Sequence, residues 1–204
     1  MTKYSLVFKN ASSQFGSLCV YQTNPDISDP GVMSLAWFAK AAHPTTKVVF
    51  TWETEYSFVW DETGLLRPGV IFDASQAWPA DPQSMNQVTF TYSAGAYTFK
   101  DVRRGPRPNS LYINQEITVP ANQASVGIGM SGAGTFVVQA QPNMNLIFSP
   151  HPKYWVTFGN FIQGQVLDIT EISNKAEVLF PNGIYSMDVT LNQDNTWTVL
   201  PSTT

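Results

Sequence analysis

The chain carries little charge of either sign. Asp, Glu, Lys and Arg make up 13% of its 204 residues, about half the share that is usual in soluble domains. This argues against disorder, which needs high net charge and few apolar groups, and against a helical bundle with Glu- and Lys-rich faces. The net charge of -4 also argues against a nucleic-acid partner, because phosphate binding needs a basic surface.

Cysteine and long apolar runs are scarce as well. Cys19 is the single cysteine, so no intramolecular disulfide can form. No run approaches 18 apolar residues, which predicts no membrane span. The first residues alternate like a strand and lack the apolar stretch of a signal peptide. We therefore expect a cytoplasmic protein by default, with export by a route without a cleaved signal left open.

Basic residues are concentrated in one short segment. Lys100, Arg103, Arg104 and Arg107 place four of the eleven basic residues within eight positions. Pro106 and Pro108 punctuate this stretch, which is typical of a solvated loop. The alternative is a small anion-binding or docking patch formed by the arginines.

What the chain does have is a period of two residues, with β-branched and aromatic residues between turn formers. About a dozen short runs at fairly regular spacing predict an all-β fold with little helix. We expect one domain over residues 1–204, an antiparallel β-sandwich of jelly-roll type. The runs cover residues 4–9, 16–22, 47–52, 56–60, 88–92, 97–102, 125–130, 135–140, 154–159, 176–180, 185–191 and 196–200.

Two local segments need a choice between alternatives. The apolar run at 32–42, which is bounded by prolines, is either a buried strand or a short helix, and we favour the buried strand. The glycine-rich segment 127–134 resembles a phosphate-binding loop, but no Lys-Ser/Thr pair ends it and a strand-like run follows. It therefore predicts a hairpin around residues 131–134, like the one expected around Ser93, Ala94 and Gly95.

The usual catalytic groups are sparse. His43 and His151 each precede a proline, which places both at strand ends or in loops. They lack the spacing of a metal site or a nucleophile motif, and we expect no metal and no cofactor. Cys19 alternates with apolar neighbours, which is typical of a small core residue.

Glu53 and Glu55 are the one carboxylate pair to weigh. Two residues apart in a strand, they would share a face at roughly 7 Å, a separation that suits an inverting glycoside hydrolase. Any two acids on a solvated sheet face would match this spacing, so the pair gives only a weak hydrolase hypothesis.

Aromatic residues offer a binding hypothesis instead. An exposed Trp or Tyr can stack on a sugar ring while Asn, Asp and Gln donate or accept hydrogen bonds. Trp78 and Trp197 lie among polar loop-forming residues, and alternation predicts that one of the adjacent Tyr154 and Trp155 rings points outward if the other points inward. The alternative for each of them is a place in the core.

Several longer strings resemble a known family. They are SLCVYQ at 17–22, VMSLAWF at 32–38, SFVW at 57–60, GVIFDASQ at 69–76, SVGIGMS at 125–131 and VVQAQPNMN at 137–145. Together they resemble the rhizosphere-expressed RhiA family of root-associated rhizobia, over nearly the whole chain. The resemblance implies an abundant bacterial protein under quorum-sensing control that is linked to plant–microbe interaction. It implies no catalytic motif and no site residues, and the segment 100–108 matches no family pattern.

Two function classes follow from these observations. The first is a non-enzymatic β-sandwich that binds a carbohydrate or a host surface through its aromatic and basic candidates. The second is a self-assembling structural protein, because low charge and many β-edges suit strand-to-strand contacts. Low charge and high aromatic content also predict a homo-oligomer.

Overall fold

Strands and their connections make up all of the chain that the computed structural model describes, residues 2–23 and 31–202. These residues contain no helix, and hence none long and apolar enough to cross a membrane. The strands are β1 Lys3–Asn10, β2 Gly16–Thr23, β3 Met33–Ser34, β4 Phe38–Ala42, β5 Lys47–Glu53, β6 Tyr56–Asp61, β7 Gln76–Ala80, β8 Gln87–Ser93, β9 Ala96–Arg103, β10 Leu111–Gln115, β11 Ser125–Met130, β12 Ala133–Gln139, β13 Asn145–Phe148, β14 Lys153–Gly159, β15 Lys175–Val178, β16 Ser186–Leu191 and β17 Trp197–Pro201.

These strands form four sheets. Sheet 1 has the order β17-β16-β1-β5, sheet 2 β15-β14-β2-β4, sheet 3 β3-β12-β11-β6-β7 and sheet 4 β13-β10-β8-β9. Most neighbouring strands are antiparallel, but β1 pairs with β16 and β8 with β10 in parallel. The all-β class is therefore confirmed, while the jelly-roll order and the single domain stay predictions.

The sheets share their cores in pairs. Side chains from sheets 1 and 2 form one apolar cluster, which includes Leu6, Val20, Phe50 and Val156. Side chains from sheets 3 and 4 form a second cluster, with Phe58, Phe90, Ile113 and Val126 among its members. Sheets 1 and 2 take strands from both ends of the chain, whereas sheets 3 and 4 take β3 and the strands from β6 to β13.

Local turn chemistry accounts for the two predicted hairpins. In β8–β9, Ala94 and Gly95 connect the strands and both have positive φ, 53° and 81°. In β11–β12, Ser131 and Gly132 do the same at 51° and 79°. Positive φ at both central residues matches the right-handed twist of the flanking strands. Both hairpin predictions are confirmed.

The ambiguous run at 32–42 contains no helix, but it forms two short strands in different sheets instead of the one buried strand that was predicted. Its first part forms β3 in sheet 3 and its second part forms β4 in sheet 2. Between them Leu35, Ala36 and Trp37 are fully buried. The Trp37 indole N–H donates to the Met130 carbonyl oxygen at 2.8 Å, which links this crossing segment to the end of β11.

Sheet 2 is covered on both faces. Along β2, Leu18 and Val20 pack into the core shared with sheet 1. Cys19 and Tyr21 point to the opposite face and pack there with Ala36 and Leu167. The prediction of Cys19 as a small core residue is confirmed, and burial raises the pKa of its thiol.

Candidate functional site

A groove of about 830 Å³ lies between β7 and β9, on the side where sheets 3 and 4 end. We call it the Trp78 groove. Its walls come from the start of β6, from β7, from the turn after β7 and from the end of β9, and the β11–β12 turn reaches it. Six of the wall residues are Tyr56, Ser57, Trp78, Ala80, Met85 and Val102.

Strand pairing positions Trp78 in this groove. β7 is the outer strand of sheet 3, and Trp78 lies opposite Phe58 of β6. Its indole packs edge-on against the Phe99 ring, with centroids 6.0 Å apart, so the side chain is half-buried rather than free. Pro79 follows with no backbone N–H, which suits an outer strand and discourages pairing with a further strand.

Two carboxylates stand beside this aromatic wall. Tyr56 pairs with Ala80, so Glu55 and Asp81 are the next residues along the two neighbouring chain segments, and both line the groove. Asp81 accepts hydrogen bonds from the Ser84 hydroxyl at 2.6 Å and from the Gln83 backbone N–H at 2.9 Å. These bonds hold the pKa of the Asp81 carboxyl below its usual value, so it is ionised at neutral pH and accepts hydrogen bonds only.

A β-bulge shapes the β9 side of the groove. Thr89 pairs with Lys100, and Gln87 pairs with Arg103. Between these two pairs β9 therefore has one residue more than β8. Asp101 lies in this bulge and has a positive φ of 55°. The bulge resets the alternation of side chains: Val102 packs against the core of sheets 3 and 4 and lines the groove, while Arg103 is exposed.

Among the described residues, one of the four basic candidates has an ion-pair partner and three have none. Lys100 Nζ lies 2.7 Å from a Glu116 carboxylate oxygen, and this contact lowers the pKa of Glu116. Arg103 is the last residue of β9, Arg104 and Arg107 lie in the segment that follows, and all three are exposed. Within residues 2–23 and 31–202, no carboxylate forms an ion pair with any of the three.

Tyr154 and Trp155 lie on opposite faces of β14, yet neither ring is free. Tyr154 packs against Trp37 and Trp52, with centroids 6.0 and 5.3 Å away, and burial raises the pKa of its phenol. Trp155 packs on the other face of sheet 2 and donates to the Thr23 hydroxyl at 2.9 Å. The expectation that one ring points outward is wrong, because both faces of this sheet are covered.

Trp197 lies on β17, the outer strand of sheet 1. Its ring packs against Phe8, with centroids 6.2 Å apart, and its N–H donates to the Asn174 side-chain oxygen at 2.6 Å. The four aromatic candidates therefore do not form one site. Of these four, only Trp78 lines the groove between β7 and β9.

The predicted carboxylate pair does not form. β5 ends at Glu53, and Glu55 lies in the connection that leads to β6 in another sheet. The prediction that both acids share one face of one strand is wrong, because the chain changes sheets between them. His43 follows β4 and His151 precedes β14, as predicted for strand ends or loops. In the described part of the chain, no three His, Cys, Asp or Glu side chains lie close enough to hold a metal ion.

Sequence reasoning missed Tyr56, Asp81 and Met85 as neighbours of Trp78. Asp81 follows Trp78 within the polar string that singled out the tryptophan. The sequence did not indicate that Trp78 or Asp81 would lie next to residues 54–57. The connection between β6 and β7 contains no regular pattern from which their pairing could be predicted.

Comparisons with known proteins agree with the strings noted above. The family model described as RhiA matches residues 1–202. Protein RhiA of Rhizobium leguminosarum bv. viciae is 41% identical over 204 residues, covering 98% of this chain and 87% of that protein. No solved structure matches the chain.

Proposed function

We propose, since the chain belongs to the RhiA family, that it is a non-enzymatic binding protein that holds one unit of a carbohydrate in the Trp78 groove. The ligand belongs to the contact between bacterium and plant root, the setting that the family resemblance implies. The observation that carries the proposal is the indole of Trp78 next to two carboxylates in a groove of about 830 Å³.

The chemistry of the walls fits a sugar. A pyranose has an apolar face of C–H groups and a rim of hydroxyls. Trp78, Tyr56 and Met85 offer apolar and aromatic surface for that face. Glu55 and Asp81 are acceptors for hydroxyl donors, and hydrogen bonds to charged groups are among the stronger ones. The groove therefore has both kinds of contact that a saccharide unit needs.

The Asp81 carboxyl does not have the property that a hydrolase needs in its general acid. A glycoside hydrolase needs one carboxylic acid with a raised pKa to protonate the leaving group. The pKa of Asp81 moves in the opposite direction because its hydrogen bonds favour the ionised form. Asp81 therefore does not suit the role of that acid.

The test is a glycan array followed by calorimetry on the glycans that bind. Removing the indole in Trp78→Ala is expected to weaken binding by about 2 kcal/mol, the value that marks a binding hot spot, which is about thirtyfold in Kd. Trp197→Ala is the matched control, since Trp197 is also half-buried on an outer strand. Equal loss in the two variants, or loss in Trp197→Ala alone, would place the site elsewhere.

Self-association is a second candidate function, favoured by the outer strand β13. β9, at the other side of sheet 4, carries Lys100, Asp101 and Arg103, and such charges protect an edge from pairing. β13 has the sequence NLIF, with no charge, and its Ile147 side chain is 62% exposed. An uncharged edge of this kind favours pairing with a second copy of the chain.

Light scattering on purified protein tests this candidate. We expect an oligomer that Ile147→Lys converts to a monomer, because a charge on the edge opposes strand pairing. Leu65→Lys is the control, since Leu65 is 56% exposed outside the strands. A monomeric wild-type protein at high micromolar concentration would exclude assembly through β13.

A further inference from the structure

The arginine-containing segment 103–109, which we call the basic loop, adjoins the Trp78 groove at both of its ends. Arg103 directly follows Val102, which lines the groove. At the other end, the Asn109 backbone N–H donates to the carbonyl oxygen of Pro82, another groove residue, at 2.8 Å. The Gln83 side chain also donates to the Asn109 side-chain oxygen. A ligand that extends beyond the groove on this side meets the loop.

The loop is held in place by a buried amide. Asn86, 1% exposed, donates to the carbonyl oxygens of Arg107 and Ser110 and accepts from the Gly105 N–H, each at 2.7 Å. Gly105 in turn lies so close to Tyr112 that a Cβ would come within 2.6 Å of its ring. The backbone that carries the arginines is therefore ordered before any ligand binds, which lowers the entropic cost of binding.

Within the described part of the chain, the three arginines of the loop form no ion pair. Lys100 is neutralised by Glu116 at 2.7 Å, but Arg103, Arg104 and Arg107 have no carboxylate partner among the described residues. Three exposed guanidinium groups on a short, ordered segment of an otherwise acidic chain favour an anionic group. Guanidinium is a donor only and matches the planar geometry of a carboxylate.

We infer that the ligand is a saccharide chain that bears carboxylates: one unit stacks on Trp78 while the carboxylate of a neighbouring unit binds the arginines of the basic loop. This inference rests on the saccharide site proposed above and adds the chemical class of its ligand. The groove supplies acceptors, Glu55 and Asp81, for hydroxyl groups, and the loop supplies donors for an acid. A free anion would meet only the loop, whereas a chain of acidic sugars meets both.

The experiment is binding to an array of polysaccharides that are present in pairs, one carboxylated and one with its carboxylates reduced to alcohols. The wild-type protein is expected to bind the carboxylated member about tenfold more tightly, since each exposed ion pair adds a modest amount. The triple variant R103Q/R104Q/R107Q is expected to bind the two members alike. K3Q/K9Q/K47Q, which removes the same charge from exposed lysines elsewhere, is expected to keep the preference, and thermal melting checks that both variants fold.

Other outcomes separate this inference from the proposed function. If the wild-type protein binds both members equally and Trp78→Ala binds neither, the proposed saccharide site is supported and the inference of an acidic ligand is wrong. If no glycan binds, the proposed function and this inference both fail. If duplex DNA binds as tightly as acidic glycans, with no effect of Trp78→Ala, the loop is an unselective polyanion surface and the inference is overturned.

Discussion

Replacing Asn86 with alanine tests whether one buried side chain orders the basic loop. The change removes the three hydrogen bonds of 2.7 Å that connect this amide to Gly105, Arg107 and Ser110. It leaves the arginines and the Trp78 groove chemically intact. Any effect on the loop therefore reports the loss of its support.

The expected cost follows from the number and the surroundings of these bonds. Each contributes about 0.5–1.5 kcal/mol net, so three contribute about 1.5–4.5 kcal/mol. The freed backbone groups lie in a partly buried segment where water can reach some of them, which lowers the cost. We expect Asn86→Ala to lower the free energy of local opening by about 2 kcal/mol.

Trypsin is a suitable reporter, because it cleaves after arginine. Cleavage after Arg103 and Arg104 requires the loop to open, and when opening is fast the rate follows the population of the open form. A loss of about 2 kcal/mol raises that population about thirtyfold. Mass spectrometry of the fragments measures the rate of cleavage, and urea unfolding in parallel measures the change in the free energy of unfolding.

The control is Asn182→Ala, which removes an amide from an exposed turn. It is expected to change neither the trypsin rate nor the unfolding midpoint. If Asn86→Ala matches this control in both measurements, the basic loop is ordered by something other than Asn86, and its preorganisation for an anionic ligand loses its basis.

Further predictions concern packing, acid stability and thiol reactivity. Gly127→Ala is expected to cost about 3 kcal/mol or more in urea unfolding, because a Cβ there would lie 1.9 Å from the carbonyl oxygen of Phe136 on β12; an unchanged midpoint would contradict this close approach. The free energy of unfolding is expected to fall as the pH drops below about 4, since a carboxyl whose pKa is lowered by folding stabilises the fold only while ionised, above the pKa of the unfolded state, and loses this effect as the pH falls through the folded pKa. Titration of the urea midpoint measures this, and a midpoint that stays constant in acid would refute it. The carboxyls concerned belong to Asp81, Asp168, Asp194 and Glu116. The Cys19 thiol, fully buried and with its pKa raised by burial, is expected to react with thiol reagents only when urea unfolds the chain; prompt reaction of the folded protein would show an open path to β2.

Much of the local structure could be predicted because its causes are local. The period of two identified most of the strands, and small residues that tolerate positive φ identified the hairpins at Ala94–Gly95 and Ser131–Gly132. The alternation around Cys19 predicted its burial. In each case a few neighbouring residues decide the backbone conformation.

The candidate site was predicted only in part. Trp78 and the three arginines were identified from the polar string and the basic cluster in which they occur. Their relation to each other was not, because it depends on the bulge at Asp101 and on the hydrogen bond from Asn109 to Pro82. Glu55 was identified for the wrong reason, because it was predicted to share one face of a strand with Glu53. Sequence spacing does not show where a chain leaves one sheet for another.

The sequence by itself determined the all-β class, the hairpins and the apolar face of most strands. Only the tertiary structure decided which strands became neighbours. β1 pairs in parallel with β16 near the other end of the chain, and β7 and β9 border one groove although they belong to different sheets. The physical reason is that alternation fixes which side chains share a face but not which strand lies alongside. That choice depends on burying those faces together across long sequence separations, and the Trp78 groove with its adjoining basic loop is a product of that choice.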